Sequence, residues 1–219
     1  MCFHFDTKNN PSQPDNITTE LANFVVENIC YTSITFAILE RRNSSTPKIK
    51  ERIIRSPEYI EVRKHPKINI YMQLMDIFYD CDKDTLGNRR GPLLELIVKH
   101  SRPSPEAYRC AIIPESWVYY KGTKISEKDI DVVFLYSKLQ LIECKAFIRN
   151  LSSDRIRSKL EFMVYVKNLA DKHSIICSLY LATYSLNVDY QNRVLENLGF
   201  NSIIIISRDK IIERLLCAC

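Results

Sequence analysis

The spacing of apolar residues changes along the chain, and the change divides it into two parts. Between residues 17 and 86, apolar residues recur at helical intervals, as Leu21 and Val25 do one turn apart. This spacing predicts a mainly helical region, although the stretch 31–40 fits either a helix or a strand because it is rich in β-branched and aromatic residues. Residues 1–16 are polar and predict a flexible arm.

The second part, residues 89–219, alternates amphipathic stretches with short apolar ones. The sequence RRGPLLELIVKHS predicts a helix with Pro92 in its first turn, where proline is tolerated. Residues 108–120 predict a strand, or a bent pair of strands, interrupted at Pro114. Residues 121–128 predict a turn.

Two further strands are predicted at 129–136 and 139–146, and the link between them is short enough for an antiparallel hairpin. The remaining predicted elements are a helix from Ser153, a strand at 174–185, a helix that Gly199 ends, a strand at 201–207 and a helix at 208–216. Helices that alternate with buried strands indicate parallel crossovers. We therefore predict an α/β fold, a central mixed sheet flanked by helices.

Composition excludes several classes of protein. The chain has 219 residues, with 46% apolar and 26% charged residues, which is typical of a globular protein. The chain has no run of about 18 uncharged apolar residues, so no membrane span is predicted. Residues 1–16 lack the pattern of a signal peptide, so we expect an intracellular protein that is not secreted. Four glycines leave no glycine-rich phosphate loop. The eight cysteines are scattered without a CxxC motif, and the four histidines are far apart, so no zinc site is expected.

The net charge of +5 is unevenly distributed. Residues 1–88 hold 11 basic and 12 acidic residues, a net charge of −1. Residues 89–219 hold 20 basic and 14 acidic residues, a net charge of +6. A weakly positive second part suits a polyanionic partner, although charge alone discriminates poorly.

Besides Lys138 in its turn, the apolar hairpin IDVVFLYSKLQLIECK contains three charged residues. Side chains alternate along a strand, so Glu143 and Lys145 share one face, and the hairpin can bring Asp131 beside Glu143. Charges in buried strands are costly unless they are paired or bind a metal, and carboxylates suit Mg²⁺ or Mn²⁺. The alternative is an ordinary salt bridge at the edge of the sheet. Asp129, on the same face as Asp131, is a competing candidate, and Glu95 is a lone acid within an apolar helical run.

These residues, in this order of elements, resemble the PD-(D/E)xK nuclease superfamily. Its E-x-K element would be Glu143-Cys144-Lys145, its upstream aspartate Asp131 and its helix acid Glu95. One departure is that Ile130, not proline, precedes the aspartate.

The resemblance implies a restriction endonuclease-like αβββαβ core over residues 89–184, with 185–219 as an addition. The domains would be a mainly helical region, 1–88, for recognition or dimerisation, and a nuclease domain, 89–219.

The resemblance also implies a mechanism. Asp131, Glu143 and the backbone carbonyl of Cys144 would hold Mg²⁺, with Mn²⁺ as a substitute, and the metal would activate a water and stabilise charge on a phosphodiester. Lys145 would orient or deprotonate that water, or offset charge in the transition state. Glu95 would bind the metal through water or hold a second ion.

Basic side chains around this motif are candidates for binding the nucleic-acid backbone. They are Arg89, Arg90, Lys121, Lys124, Arg155, Arg157 and Lys159. Each also has the plainer interpretation of a solvated charge. Trp117, Tyr119 and Tyr120 could stack on bases, or pack in the core or at a dimer contact.

Three functional hypotheses follow. The first is a metal-dependent nuclease acting on DNA, with a structure-specific, junction resolvase-like activity as one form of it and RNA open as a substrate. The second is an idle nucleic-acid-binding or scaffold protein on the same fold. The third is a non-enzymatic interaction module whose acids are plain surface charges, which would bind no metal. A homodimer would suit a junction resolvase, because two sites cut symmetric strands.

Overall fold

Six strands form one mixed sheet with helices on both faces. The structure, a computed structural model, describes residues 3–9, 13–41, 49–102, 110–146, 148, 151 and 153–218. The strands are β1 (Phe3–Thr7), β2 (Ala111–Tyr120), β3 (Thr123–Leu135), β4 (Leu139–Cys144), β5 (Cys177–Ala182) and β6 (Ile203–Ile206). The helices are α1 (Asn16–Glu27), α2 (Thr32–Glu40), α3 (Ile49–Ile54), α4 (Tyr59–Val62), α5 (Ile68–Tyr79), α6 (Lys83–His100), α7 (Asp154–Asp171), α8 (Asp189–Asn197) and α9 (Arg208–Leu216), with a 3-10 turn at Ile29–Tyr31.

The strands lie in sequence order across the sheet, from β1 at one edge to β6 at the other. Strands β1 to β4 are antiparallel neighbours, whereas β5 pairs parallel with both β4 and β6. The predicted hairpin between β3 and β4 and the predicted parallel crossovers are therefore confirmed, as is the α/β class.

Alternation along the central strands creates two cores. Val132 and Phe134 of β3 pack into a cluster with residues of α1, α2, α5 and α6, whereas Val133 packs on the opposite face, against α7. Strand β4 divides in the same way, with Ile142 on the first face and Leu141 on the second. Because the N-terminal helices share a core with the sheet, the region predicted to be helical lies against one sheet face.

Two helix starts follow from their capping residues. The Asp15 carboxylate accepts the Thr18 backbone N–H at 3.0 Å at the start of α1, and the Asp82 carboxylate accepts the Thr85 N–H at 2.9 Å at the start of α6. Helix α6 therefore begins at Lys83, and the boundary predicted between residues 88 and 89 falls inside a continuous helix.

Three local predictions are corrected or resolved. Residues 3–7, predicted as part of a flexible arm, form β1, because Phe3 and Phe5 alternate into the core while β1 pairs with β2. The predicted turn at 121–128 is confined to Lys121 and Gly122, which have φ values of 51° and 81°, and β3 starts directly afterwards. The ambiguous stretch 31–40 is helical.

The end of α8 agrees with the prediction made from Gly199. Gly199, which follows the capping residue Leu198 at the end of α8, has a φ of 82°, as its predicted role in ending that helix requires. Among the described residues, no single helix has the length and apolar content to span a bilayer, and only the pair 16–27 and 29–40, bent by 113°, has both when combined. Cysteines in the described part of the chain are free thiols.

Candidate functional site

The hairpin brings Asp131 and Glu143 together. Val132 pairs with Ile142, so the next positions outward in the register are those of Asp131 on β3 and Glu143 on β4. The carboxylate of Asp131 accepts the backbone N–H of Cys144 through Oδ2 at 2.7 Å. Asp131 is 6% exposed and Glu143 is 0% exposed, so the strands place both acids where a charge requires a partner.

Lys145 places its ammonium against the oxygens that the resemblance implies as metal ligands. Its backbone N–H donates to the Ala182 carbonyl at 2.9 Å, which holds the chain beside β5 beyond the end of β4. Its Nζ contacts Glu143 Oε1, donates to the Cys144 carbonyl oxygen at 3.2 Å and lies 4.0 Å from Asp131 Oδ2. Burial alone would lower the pKa of Lys145, but the Glu143 and Asp131 carboxylates raise it above the ordinary lysine value.

A second lysine reaches the same carboxylates from α7. The Nζ of Lys159 lies 2.8 Å from Asp131 Oδ1, 2.8 Å from Glu143 Oε2 and 3.4 Å from Asp129 Oδ1. Burial acts to lower the pKa of Lys159, but the carboxylates of Asp131 and Glu143 raise it instead. The sequence predicted Lys159 as a contact to a phosphate backbone, whereas here its ammonium is bound to the acids.

Glu143 is the most enclosed acid of the site. Burial and the Asp131 carboxylate raise its pKa to about 7, although both lysines act to lower it. Both Glu143 oxygens have an ammonium at contact distance, that of Lys145 at Oε1 and that of Lys159 at 2.8 Å from Oε2. The lysines therefore compensate the charge of this carboxylate, and a cation that binds Oε1 takes the place of the Lys145 ammonium.

Two more acids approach from α6 and β2. Burial, followed by the carboxylates of Asp131 and Glu115, raises the pKa of Glu95 to about 8. Pro114 and Ser116 pair with Val132 and Ile130, so Glu115 sits opposite Asp131 in the register.

Glu115 is an acid of the site that the sequence interpretation missed. It is 5% exposed and has a φ of 39°, a left-handed conformation that is uncommon for a residue with a side chain. Its signal in the sequence is an acid within the apolar strand IIPESWVYY.

Asp129, the competing candidate, lies at the outer side of this cluster. Its Oδ2 is 3.4 Å from Lys8 Nζ and its Oδ1 is 3.4 Å from Lys159 Nζ. Burial acts to raise the pKa of Asp129, but Lys159 and Lys8 lower it. Asp131 is the more buried of the two and is the one bonded to Cys144, which favours it as the residue paired with Glu143.

The donor chemistry of the cluster fits a hard divalent cation. Oxygens of Asp131, Glu143 and the Cys144 carbonyl surround one position, which the Lys145 ammonium holds in this arrangement. Carboxylate and carbonyl oxygens are the ligands that Mg²⁺ and Mn²⁺ prefer. Among the described residues, no group of three or more His, Cys, Asp or Glu side chains has metal-binding geometry. The candidate ligand set is therefore smaller in side chains: two carboxylates, together with one backbone carbonyl.

The predicted nucleic-acid contacts divide into two groups. The Arg89 guanidinium binds Asp15 at 2.6 Å and the Phe78 carbonyl at 2.6 Å, and Arg90 is only 6% exposed, so both belong to the interior packing of α6. Lys121, Arg155 and Arg157 are exposed.

Lys124 belongs to the second group, although part of its charge is compensated. Its Nζ lies 3.5 Å from the centre of the Trp117 ring and 2.6 Å from Glu127. The Tyr120 hydroxyl bonds His173 at 2.6 Å, and its ring packs against Phe3. Trp117 and Tyr119 are partly exposed on β2.

Comparisons with known proteins assign no family. No family model matches the chain, and no curated protein matches it. Among solved structures, the chain is similar to protein VC1899 from Vibrio cholerae, with a TM-score of 0.45 and 14% identity over 98% of this chain. The match spans 57% of that protein's length. A likeness at this level carries no argument about function.

Proposed function

We propose that this protein is a metal-dependent nuclease of the PD-(D/E)xK type that hydrolyses phosphodiester bonds in DNA. One observation carries the proposal. The oxygens of Asp131 and Glu143 and the carbonyl of Cys144 lie around a single cation position, with a lysine ammonium in it. Two acids brought together in buried strands are costly, and a metal-binding role accounts for them better than packing does.

The order of elements supports the finer fold. Helix α6, the antiparallel strands β2 to β4, helix α7 and the parallel strand β5 follow the αβββαβ sequence of a restriction endonuclease-like core. Glu95 lies on α6, and Asp131 and Glu143 lie on adjacent strands, which is the distribution that the resemblance implies. In this proposal, β6 and the helices α8 and α9 extend the core.

The chemistry assigned to each residue follows from its position. Asp131, Glu143 and the Cys144 carbonyl would hold Mg²⁺ or Mn²⁺, which when bound would activate water and stabilise charge on the phosphate. Lys145 is kept protonated by its two acidic neighbours, so its part is to donate hydrogen bonds to the attacking water or the phosphate rather than to remove a proton. Its side chain is 30% exposed, which gives a substrate access to it.

Glu95 would take a supporting part. Burial and two nearby carboxylates raise the pKa of Glu95 to about 8, so this side chain is largely protonated at neutral pH. A protonated carboxyl can donate to a bound water or to a phosphate oxygen, and a second cation would ionise it. Glu95 is therefore assigned to binding through water rather than to direct ligation.

The basic residues that remain available favour a polyanionic substrate. Lys121 and Lys124 lie at the β2–β3 turn, and Arg155 and Arg157 lie at the start of α7, the helix that also carries Lys159 into the site. All four side chains reach solvent, although Arg157 pairs with Glu161 at 3.0 Å, as Lys124 does with Glu127. Phosphates are bound by such side chains and by helix starts.

A two-fold dimer would present two sites to a branched DNA, and light scattering on the purified protein would measure the oligomeric state directly.

An idle nucleic-acid-binding scaffold is the second candidate. Lys145 and Lys159 supply two positive charges in direct contact with the two central carboxylates, so that pair is balanced without a metal. In that case the buried ion pairs would stabilise one arrangement of β3, β4 and α7, and no cleavage would occur with any metal.

A cleavage assay separates the two candidates. Labelled single-stranded, duplex, flap and four-way junction DNA, and single-stranded RNA, are incubated with Mg²⁺, Mn²⁺ or EDTA. Glu143→Gln removes the central charge at nearly constant shape, and Glu196→Gln changes an exposed acid on α8 as a matched control. Metal-dependent cutting that Glu143→Gln abolishes and Glu196→Gln retains is the expected result. Cutting that persists at the wild-type rate in Glu143→Gln or in Lys145→Ala would overturn the proposed site.

A further inference from the structure

The two lysines of the site contact different oxygens of the same carboxylates. Lys145 faces Asp131 Oδ2 and Glu143 Oε1, on the side of the Cys144 carbonyl. Lys159 faces the other pair, Asp131 Oδ1 and Glu143 Oε2, at 2.8 Å each. The carboxylates are therefore held between two ammonium groups, one on each side.

The α7 side is the more firmly held of the two. Lys159 follows Ile156 and precedes Leu160 and Met163, and the last two are completely buried against the sheet. Its own side chain is 19% exposed, compared with 30% for Lys145. Lys159 thus projects from a packed helix, whereas Lys145 lies beyond the last residue of β4 in a position that a ligand can reach.

We propose that Lys159 is a positioning residue, which clamps Asp131 Oδ1 and Glu143 Oε2 so that Oδ2 and Oε1 stay turned toward the Cys144 carbonyl and a divalent cation. This inference rests on the proposed metal site. Two neighbouring carboxylates repel each other and turn apart when no shared donor holds them. A lysine ammonium in contact with one oxygen of each keeps them side by side, as partners behind metal ligands commonly do. It leaves for the cation Glu143 Oε1 and the second lone pair of Asp131 Oδ2, the oxygen that also accepts the Cys144 N–H.

A simple charge effect predicts the opposite outcome, which makes the inference testable. Removing an ammonium from beside two carboxylates makes the site more negative, so electrostatics alone would tighten cation binding. Loss of positioning would weaken it. Lys145, in the cation position itself, competes with the metal, so its removal is expected to tighten binding. The two lysines should therefore change metal affinity in opposite directions.

The experiment is calorimetric titration of Mn²⁺ into the full chain without nucleic acid, for the wild type, Lys159→Met, Lys159→Arg and Lys145→Met. It is run at about pH 9, where carboxylates are ionised and lysines stay charged. Lys159→Met should weaken binding by about tenfold or more, a typical effect of losing a partner of metal ligands. Lys159→Arg should regain much of it because a guanidinium can bridge two carboxylates, and Lys145→Met should bind at least as tightly as the wild type.

Every outcome is informative. Lys159→Met binding as tightly as the wild type, or more tightly, would overturn the inference, as would equal weakening in both Met variants. Circular dichroism checks the fold, and Lys159→Gln replaces a Met variant that does not fold. Metal-dependent cleavage with unchanged binding by Lys159→Met would leave the nuclease proposal standing alone. Weakened binding by Lys159→Met in a protein that cuts no substrate would leave only the inference standing. No Mn²⁺ binding by the wild type would overturn both.

Discussion

The Asp131 carboxylate accepts the backbone N–H of Cys144 at 2.7 Å, one step beyond the last backbone pair between β3 and β4. A side chain thus continues the hairpin where its ladder stops. The same bond fixes the carboxylate next to the carbonyl of Cys144. A residue of the candidate site therefore also supports the local structure, and stability and function should depend on it to different degrees.

Substitutions of Asp131 can separate these two roles. Asp131→Ala leaves the buried Cys144 N–H without its acceptor, which costs about 1–3 kcal/mol. Asp131→Asn keeps an oxygen that can accept, so we expect a smaller loss in the free energy of unfolding. Both should abolish metal-dependent cleavage. Urea unfolding compares the variants, and equal destabilisation by Asn and Ala would show that the Cys144 hydrogen bond contributes little.

Arg89 should act on stability rather than on nucleic-acid binding. Its guanidinium joins the Asp15 carboxylate, at the start of α1, to the Ile77 and Phe78 carbonyls at the end of α5. Arg89→Ala breaks contacts of a side chain that is only 14% exposed, and we expect a loss of about 1–3 kcal/mol, as for hydrogen bonds to charged groups.

The exposed Lys83, on the same helix, provides the control for Arg89: Lys83→Ala should change stability by less than about 0.5 kcal/mol. Chemical denaturation measures both variants, and filter binding measures their affinity for DNA. A lower affinity in Arg89→Ala with unchanged stability would reverse this assignment.

Arg155 should contribute to binding without contributing to stability. It is exposed in the first turns of α7, close in sequence to the lysine that enters the site. Arg155→Ala should weaken the binding of DNA molecules of unrelated sequence about equally. It should also reduce, by about one, the slope of the logarithm of the binding constant against the logarithm of the salt concentration. Arg193→Ala, an exposed arginine on α8, removes the same charge elsewhere. If both variants lose the same affinity, a general field rather than a local contact is responsible.

The site residues that could be predicted from the sequence are charged residues within otherwise apolar strands. Asp131 and Glu143 interrupt apolar strands, and strand alternation then assigns them a face, so their meeting could be predicted without a structure. Lys145 followed from the same alternation. Because side chains alternate between the two faces of a strand, the face of each of these residues is determined once a short hairpin is recognised.

Lys159 was assigned differently because a helix offers more faces than a strand. It was grouped with the exposed Arg155 and Arg157 as a basic helix start. A signal was nevertheless present, because Lys159 falls within the helical stripe of Ile156, Leu160 and Met163, and a lysine inside an apolar stripe requires an acidic partner. Which acid it meets depends on how α7 docks on the sheet, and no local pattern specifies that.

The N-terminal strand shows the same limit. Phe3 and Phe5 alternate with polar residues, which is a strand pattern. Such a short pattern cannot indicate a partner strand more than a hundred residues away. Strand β1 pairs with β2 in the register Phe3 to Tyr120. Long-range pairing of this kind depends on the assembled sheet, so a short polar segment was predicted as an arm instead.

The raised pKa values of Glu95 and Glu143 predict a pH-dependent stability. Both values, about 8 and about 7, lie above the ordinary glutamate value of 4.5, mainly because of burial. Between pH 4.5 and 8 these two glutamates therefore bind more protons in the folded protein than in the unfolded chain, and their contribution to stability falls as pH rises through this window.

Other groups can oppose this trend, so the measurement requires substitutions. Burial lowers the pKa of His100, which adds stability as pH rises, whereas the raised pKa values of Lys145 and Lys159 change nothing in this window. Glu95→Gln and Glu143→Gln should each flatten the fall in the unfolding free energy, by an amount of the order of a few kcal/mol across the window.

Thermal unfolding of each protein from acidic to mildly basic pH measures this effect. Added Mg²⁺ should reduce the wild-type fall, because a metal binds the ionised carboxylates and favours the folded state. Glu196→Gln, which changes an exposed acid on α8, should leave the slope unchanged. If the wild type and both site variants share one slope, the two glutamates are ionised alike in the folded and unfolded chains, and burial does not raise their pKa values in the folded protein.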